Sequence, residues 1–225
     1  MKARFARSTL EGLTFAIQVL VQRCRTEGES VRVFTLLALW ASSAWAIPGA
    51  GVSWDVIQSE PVPVSCAEVA GGPWCRSEGI IHAPVSDVVQ ALKNMRYNAA
   101  AFESVVRIDV VEDEVLHVVL DYPSPLSDRD YVAQYSYRRD GAAHVFAWKP
   151  ANAKYPVEED IVRLPSFAGE WRLEQRGART WVRYTWHAQI NGSFPSFAYK
   201  TAWKKAGYEA LRDLAQTQKA KLTIR

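Results

Sequence analysis

The sequence predicts an α+β fold: an N-terminal hairpin, short helices, a long antiparallel meander and a closing C-terminal helix. Three observations predict it. Between Ser104 and Asn191, extended runs with a spacing of two are separated by turn residues, the pattern of successive strands with one face buried. Beyond Pro195 the spacing changes: Tyr199, Ala202, Trp203, Ala206, Ala210 and Leu214 form one apolar stripe at helical intervals. Nothing in the middle of the chain reads as a linker, so one core accounts for everything after the N-terminal region.

That N-terminal region, residues 1–46, reads as a leader. Arg32, the apolar run Val33 to Ala41 and the small residues Ser42 to Ala46 supply the basic, hydrophobic and A-x-A parts of a secretory signal peptide. The run is about half the length that spans a bilayer, which argues against a permanent anchor. Cleavage after Ala46 makes Ile47 the first mature residue and sends residues 47–225 to the periplasm or outside the cell. Such a signal normally begins a few residues before its apolar run. Translation starting at Val31, with residues 31–46 as the signal, accounts for the long stretch ahead of it. A genuine extension, amphipathic around Leu13 to Val21, is the other reading. The leader holds Lys2, Arg4, Arg7, Arg23, Arg25 and Arg32 against Glu11, Glu27 and Glu29. Its removal leaves 21 basic and 21 acidic residues. The mature chain is then formally neutral, which argues against a nucleic-acid partner. Cys24 falls in the leader, and Cys66 with Cys75 remain as an even pair suited to an oxidising compartment.

Along the mature chain, Trp54 to Ser59 fits a short helix or a first strand. Val62 to Glu68 alternates, and Trp74 to His82 resumes extended character after Ala70-Gly71-Gly72-Pro73, a hairpin signal. A turn centred between Ala70 and Gly71 sets Cys66 opposite Cys75, close enough for a disulfide. A helix opens near Ala83-Pro84 with Ser86 or Asp87 as its N-cap and Val88, Val89, Leu92 and Met95 on its apolar side. A second short helix covers Asn98 to Phe102. Strands follow at Ser104 to Glu112, Val115 to Asp121, Asp130 to Arg138, His144 to Lys149, Ile161 to Leu164, Gly169 to Gln175 and Thr180 to Asn191.

The 9 Trp, 9 Tyr and 8 Phe fit either a well-packed core or an aromatic-lined cavity. Three stretches bear on the choice. Ser77-Glu78-Gly79-Ile80-Ile81-His82-Ala83-Pro84 leads from a strand into the first long helix. Ser127-Asp128-Arg129-Asp130-Tyr131-Val132 opens a strand after a Pro-rich loop. Ile190-Asn191-Gly192-Ser193-Phe194-Pro195 precedes the C-terminal helix. In this order the chain resembles the START (steroidogenic acute regulatory-related lipid transfer) family over roughly Trp54 to Leu214. The resemblance implies a helix-grip fold, a curved antiparallel sheet wrapped around a long C-terminal helix with an internal apolar cavity. It also implies binding or transfer of a lipid without catalysis.

The residues make such a cavity physically reasonable. Tyr131, Ala133, Tyr135 and Tyr137 share one face of their strand, and Val182, Tyr184, Trp186, Ala188 and Ile190 share one face of theirs. Ala202, Ala206 and Ala210 supply small residues on the opposing helix. The expected ligand-binding residues are Tyr131, Tyr135, Tyr137, Tyr184 and Trp186, with Ala202, Ala206 and Ala210 as the helical wall. Sterol-binding members of the family place an acidic residue and an Arg inside the cavity. Here the matching positions are the apolar run Val115 to Leu120 and Tyr135, so that pair is expected to be absent, with Tyr hydroxyls as the hydrogen-bonding groups.

Other chemistry finds no support. His82, His117, His144 and His187 are scattered singly, with no metal-binding spacing, nucleophile elbow or phosphate loop. Arg129 and Asp130 point to opposite faces of a strand and are read as ordering their loop. The run Glu158-Glu159-Asp160 reads as a solvated loop edge. The expectation is a monomer that binds, and in one reading transfers, a lipid or other apolar small molecule, with transient membrane contact, no catalytic residues, no metal and no cofactor. The alternative within the same superfamily is a polyketide cyclase or aromatase, and a third reading is a chaperone or interaction domain.

Overall fold

Two glycines set the first hairpin. Gly71 and Gly72 turn with φ of 98° and 115°, angles at which any side chain is strained. They join β2 (Val64–Val69) to β3 (Gly72–Ile81) in the register that sets Cys66 opposite Cys75. The two are joined by a disulfide with Cα atoms 4.0 Å apart, closing a separation of 9 residues. Residues Trp54 to Ser59 resolve to a strand, β1 (Asp55–Gln58), paired to β2. The computed structural model describes residues 46–223 apart from Pro123, Pro125 and residues 192–197. The signal peptide expected over residues 31–46, save Ala46, and the Gly192 to Pro195 part of the stretch before the C-terminal helix lie outside the described residues.

Helix α1 (Val85–Met95) begins earlier than its local sequence suggests. Its N-cap is Pro84, and the Val85 N–H donates to Gln175 Oε1 at 2.7 Å, so a side chain 90 residues away does the work expected of Ser86 or Asp87. The buried residues Val88, Val89, Ala91, Leu92 and Met95 form its inner face. A single 3-10 turn follows at Ala99–Ala101, capped by Asn98, whose side chain accepts from the Ala100 N–H.

The meander then runs through β4 (Val105–Glu112), β5 (Val115–Leu120), β6 (Arg129–Asp140), β7 (Ala143–Pro150), β8 (Val162–Arg163), β9 (Ser166–Arg176) and β10 (Arg179–Gln189). The main sheet has the order β1-β2-β3-β10-β9-β7-β6-β5-β4, with β10 returning to pair with β3. These pairings are antiparallel, and β8 adds a short parallel pairing to β6.

Helix α2 (Tyr199–Thr217) lies against β3, β10 and β2 and touches α1. It comes close because Gly207 has no side chain: a Cβ there would sit 2.8 Å from the Trp186 ring and 2.8 Å from Val64. Ser77 Oγ donates to the Gly207 carbonyl at 3.1 Å, a buried bond that fixes the helix height over β3. After the helix, β11 (Leu222–Thr223) pairs with Ile81 and Ile80 of β3. The His82 N–H donates to the Lys221 carbonyl at 3.0 Å, and His82 Nε2 lies 2.8 Å from Thr223 Oγ1.

Candidate functional site

Between the inner face of the sheet and α2 the chain leaves a cavity of about 430 Å³, within the range of small-molecule sites. Alternation along the strands decides what faces it. Val118 and Leu120 of β5, Tyr131 and Tyr135 of β6, Phe146 and Trp148 of β7, and Tyr184, Trp186 and Ala188 of β10 turn the same way. Ala202, Ala206 and Ala210 form part of the helical wall, spaced four residues apart along one side of α2. Seven of the eight residues singled out from the sequence therefore line one space.

Tyr137 does not. It lies 41% exposed, with its hydroxyl 2.7 Å from His144 Nδ1 and Lys93 over its ring. The aromatic face of β6 is continuous, but the strand is twelve residues long and outruns the part of the sheet that is covered. From Ser136 onward it faces solvent.

The aromatic wall is one connected stack. Tyr184 packs against Trp171 (ring centroids 4.4 Å apart), Trp186 (4.8 Å) and Trp148 (5.7 Å), and Trp148 continues to Phe167 and Tyr135. Trp148 reaches its place because position 169 is glycine: a Cβ there would lie 2.4 Å from the indole and 2.3 Å from the Thr185 carbonyl. The hydroxyls of Tyr131 and Tyr135 lie 3.5 Å apart. Burial raises the pKa of all three phenols, to about 12 for Tyr135 and well above the ordinary tyrosine range for Tyr131 and Tyr184. They are un-ionised donors at any physiological pH.

Val118, Leu120 and Tyr135 occupy the positions matched to the sterol-type pair, and charge reaches the lining from elsewhere. Arg96, Asp121, Lys205, Glu209 and Asp213 all contribute to the lining. Arg96 is held in a bidentate pair by Glu114, with Nη2 to Oε1 at 2.8 Å. Glu209 accepts from Ser104 Oγ at 2.6 Å, and Asp213 accepts from the Glu103 N–H at 3.1 Å and from Arg212. Both carboxylates are buried. Neither carboxylate belongs to the apolar stripe read from the sequence. The spacing Ala202, Ala206, Glu209, Asp213 is that of a single helical face, and that signal was available.

On the opposite face of the sheet, His117 is fully buried between carboxylates. Its Nε2 lies 2.8 Å from Asp130, its Nδ1 3.2 Å from Asp109, and its ring stacks on Tyr155 at 4.2 Å. Asp109, His117 and Glu158 bring three potential ligand atoms within 4.8 Å of one another. The Arg107 guanidinium pairs with both carboxylates of that group and supplies positive charge there itself. Burial alone would push the Asp130 carboxyl up. Hydrogen bonds from Arg163 (2.7 and 2.8 Å) and His117 overcome this and hold it below the usual carboxylate range. Glu158 is thus an anchor, not a free loop edge, and Asp130 orders the loop through Arg163, which also donates to the carbonyls of Asn152, Tyr155 and Pro156. His117 and His187 do not meet: His187 Nδ1 bonds to the Pro73 carbonyl and its ring stacks on Trp74.

No family model matches the chain. An uncharacterized protein of Pseudomonas aeruginosa is 22% identical over 172 residues, covering 72% of this chain and 85% of the relative. Among solved structures, the STAR-related lipid transfer protein of Xanthomonas axonopodis (fragment 25–204) superposes with a TM-score of 0.64 at 23% identity. The match covers 73% of this chain and 97% of that one. Human StAR-related lipid transfer protein 5 gives 0.63 at 14% identity, covering 93% and 96%. By its strand order, its closing helix and these neighbours, the chain has the START-like helix-grip fold.

Proposed function

We propose that the chain binds a lipid or other apolar small molecule in the cavity beneath α2, without catalysis. One observation carries the reading: 430 Å³ of space walled by stacked aromatic rings on one side and alanines on the other, where a merely structural core would be filled to crystal-like density. Apolar surface removed from water there would supply the affinity, at about 25 cal/mol per Å². The lipid transfer proteins that share the fold support it, and a transfer role extends it.

Residues 47–225 form the mature lipid-binding domain in this proposal, released by cleavage after Ala46. The Cys66–Cys75 disulfide favours an oxidising compartment, the periplasm or the exterior. Among the described residues no helix is long and apolar enough to cross a membrane.

A cyclase or aromatase reading has the carboxylates Glu209 and Asp213 in its favour, since acid–base chemistry needs such groups at the wall. Both are already engaged, by Ser104 and by the Glu103 N–H with Arg212, which favours binding over turnover. Mass spectrometry of small molecules extracted from the protein purified from its host tests the proposal. An apolar molecule in stoichiometric amount is expected. Recovery of none, together with failure to bind any apolar probe, refutes it, and conversion of the bound molecule would turn the assignment to an enzyme.

A further inference from the structure

We propose that the cavity selects an uncharged molecule of single-chain size with one oxygen acceptor, an alcohol or ketone, seated on the hydroxyl of Tyr184, and discriminates against ionised acids and two-chain phospholipids. This deepens the lipid-binding reading and rests on it.

Size is the first argument. A cavity of about 430 Å³ lies toward the lower end of the roughly 300–1,000 Å³ range of small-molecule sites, which suits one acyl-length chain or a compact ring system better than two chains and a headgroup.

The second argument is an unmet hydrogen bond. Tyr184 is 9% exposed, its ring is held by Trp171, Trp186 and Trp148, and its hydroxyl has no partner among the described residues. The pair Tyr131 and Tyr135 uses one proton between two hydroxyls, so a second O–H beside it is also unspent. The three phenols are near enough that ionising one would disfavour ionising the next. These hydroxyls open onto an otherwise apolar cavity, and a ligand oxygen placed among them would accept from them.

The third argument is charge. The wall carries the carboxylates Asp121, Glu209 and Asp213 against Arg96 and Lys205. Arg96 is neutralised bidentately by Glu114, and Lys205 leans on Glu209. Among the described lining residues both cations are already paired with carboxylates, so an ionised carboxylate or phosphate entering this space would be desolvated with no free cation to meet it.

The test is a matched series added to the purified full chain: tetradecane, tetradecanol, the corresponding methyl ketone, myristate at pH 8, tetradecylamine, and phosphatidylcholine vesicles. Binding is read from tryptophan fluorescence, with Trp148, Trp171 and Trp186 at the wall. Tetradecanol and the ketone are expected to bind at least tenfold more tightly than myristate or the amine. Tyr184→Phe should lower the ratio of tetradecanol to tetradecane affinity about tenfold. Tighter binding of myristate, of the amine or of the phospholipid overturns the proposal, as does a Tyr184→Phe protein with an unchanged alcohol-to-alkane ratio. If no member binds, tetradecane included, the underlying lipid-binding reading fails instead. The wild-type series decides the matter even where the variant is unstable.

Discussion

Replacing Ala206 with Trp separates a true cavity from a filled core. Ala206 belongs to the helical wall, across from the aromatic stack. The nine ring atoms of an indole occupy roughly 270 Å³ at liquid density, more than half of the 430 Å³ present. In an empty cavity the new ring is buried against apolar walls. At about 150–250 Å² of surface and 25 cal/mol per Å² it gains up to about 4–6 kcal/mol. Lower helix propensity and lost rotamer freedom take back about 1–2 kcal/mol. The variant is then at least as stable as the parent and loses its ligand. In a filled core the same ring overpacks and costs about 1–3 kcal/mol, a fall in Tm of about 2–12 °C for a domain of this size. Differential scanning calorimetry and solvent extraction on one sample read both quantities. A fall in Tm of that size, from a parent that carried no extractable molecule, refutes the cavity argument.

Three further outcomes follow from the packing. Gly207→Ala gains about 1 kcal/mol of helix propensity but drives a methyl to 2.8 Å from Trp186 and Val64, so urea melts should show a net loss of up to about 2 kcal/mol. A net gain would mean that the helix rides higher than described. Cys66→Ser with Cys75→Ser opens a short loop and should cost about 2.5 kcal/mol, seen as a Tm about 5–10 °C lower, with the register of β2 and β3 retained. Asp130 is held below the ordinary carboxylate range in the folded state, so its stabilisation is present above that range and is lost as pH falls through its folded pKa. Asp130→Asn should therefore cost about 3–5 kcal/mol at pH 7 and flatten the acid limb of the stability profile; an unchanged limb would place the acid-sensitive group elsewhere.

What could be read from the sequence depended on how local each signal was. The register that joins Cys66 to Cys75 follows from one turn, and the Gly/Pro cluster located it. The faces carrying Tyr135, Tyr184 and Trp186 follow from strand alternation alone. Tyr137 obeys the same alternation, yet its burial depends on where along the twelve-residue β6 the covered part of the sheet ends, which no local pattern records. The start of α1 was misjudged for a like reason, since Gln175 comes from β9. Glu209 and Asp213 sit on a readable face, but their burial depends on Ser104 and on the Glu103 N–H, more than a hundred residues earlier. Polar residues mid-helix look solvated until such partners are in place.

The two ends of α2 are secured very differently. From Gly207 onward the helix presses Leu211, Leu214 and Ala215 into the core, bonds through Ser77, and is stapled by β11 to the sheet. From Tyr199 to Ala206 no residue is buried to that degree, and the inward side chains face the cavity. The helix is thus a lever with its fulcrum in the C-terminal half. Among the described residues the first two turns bury fewer side chains than the last two, so lifting them to admit a guest would disturb the core less. The cavity is positioned beneath the arm that is cheapest to raise.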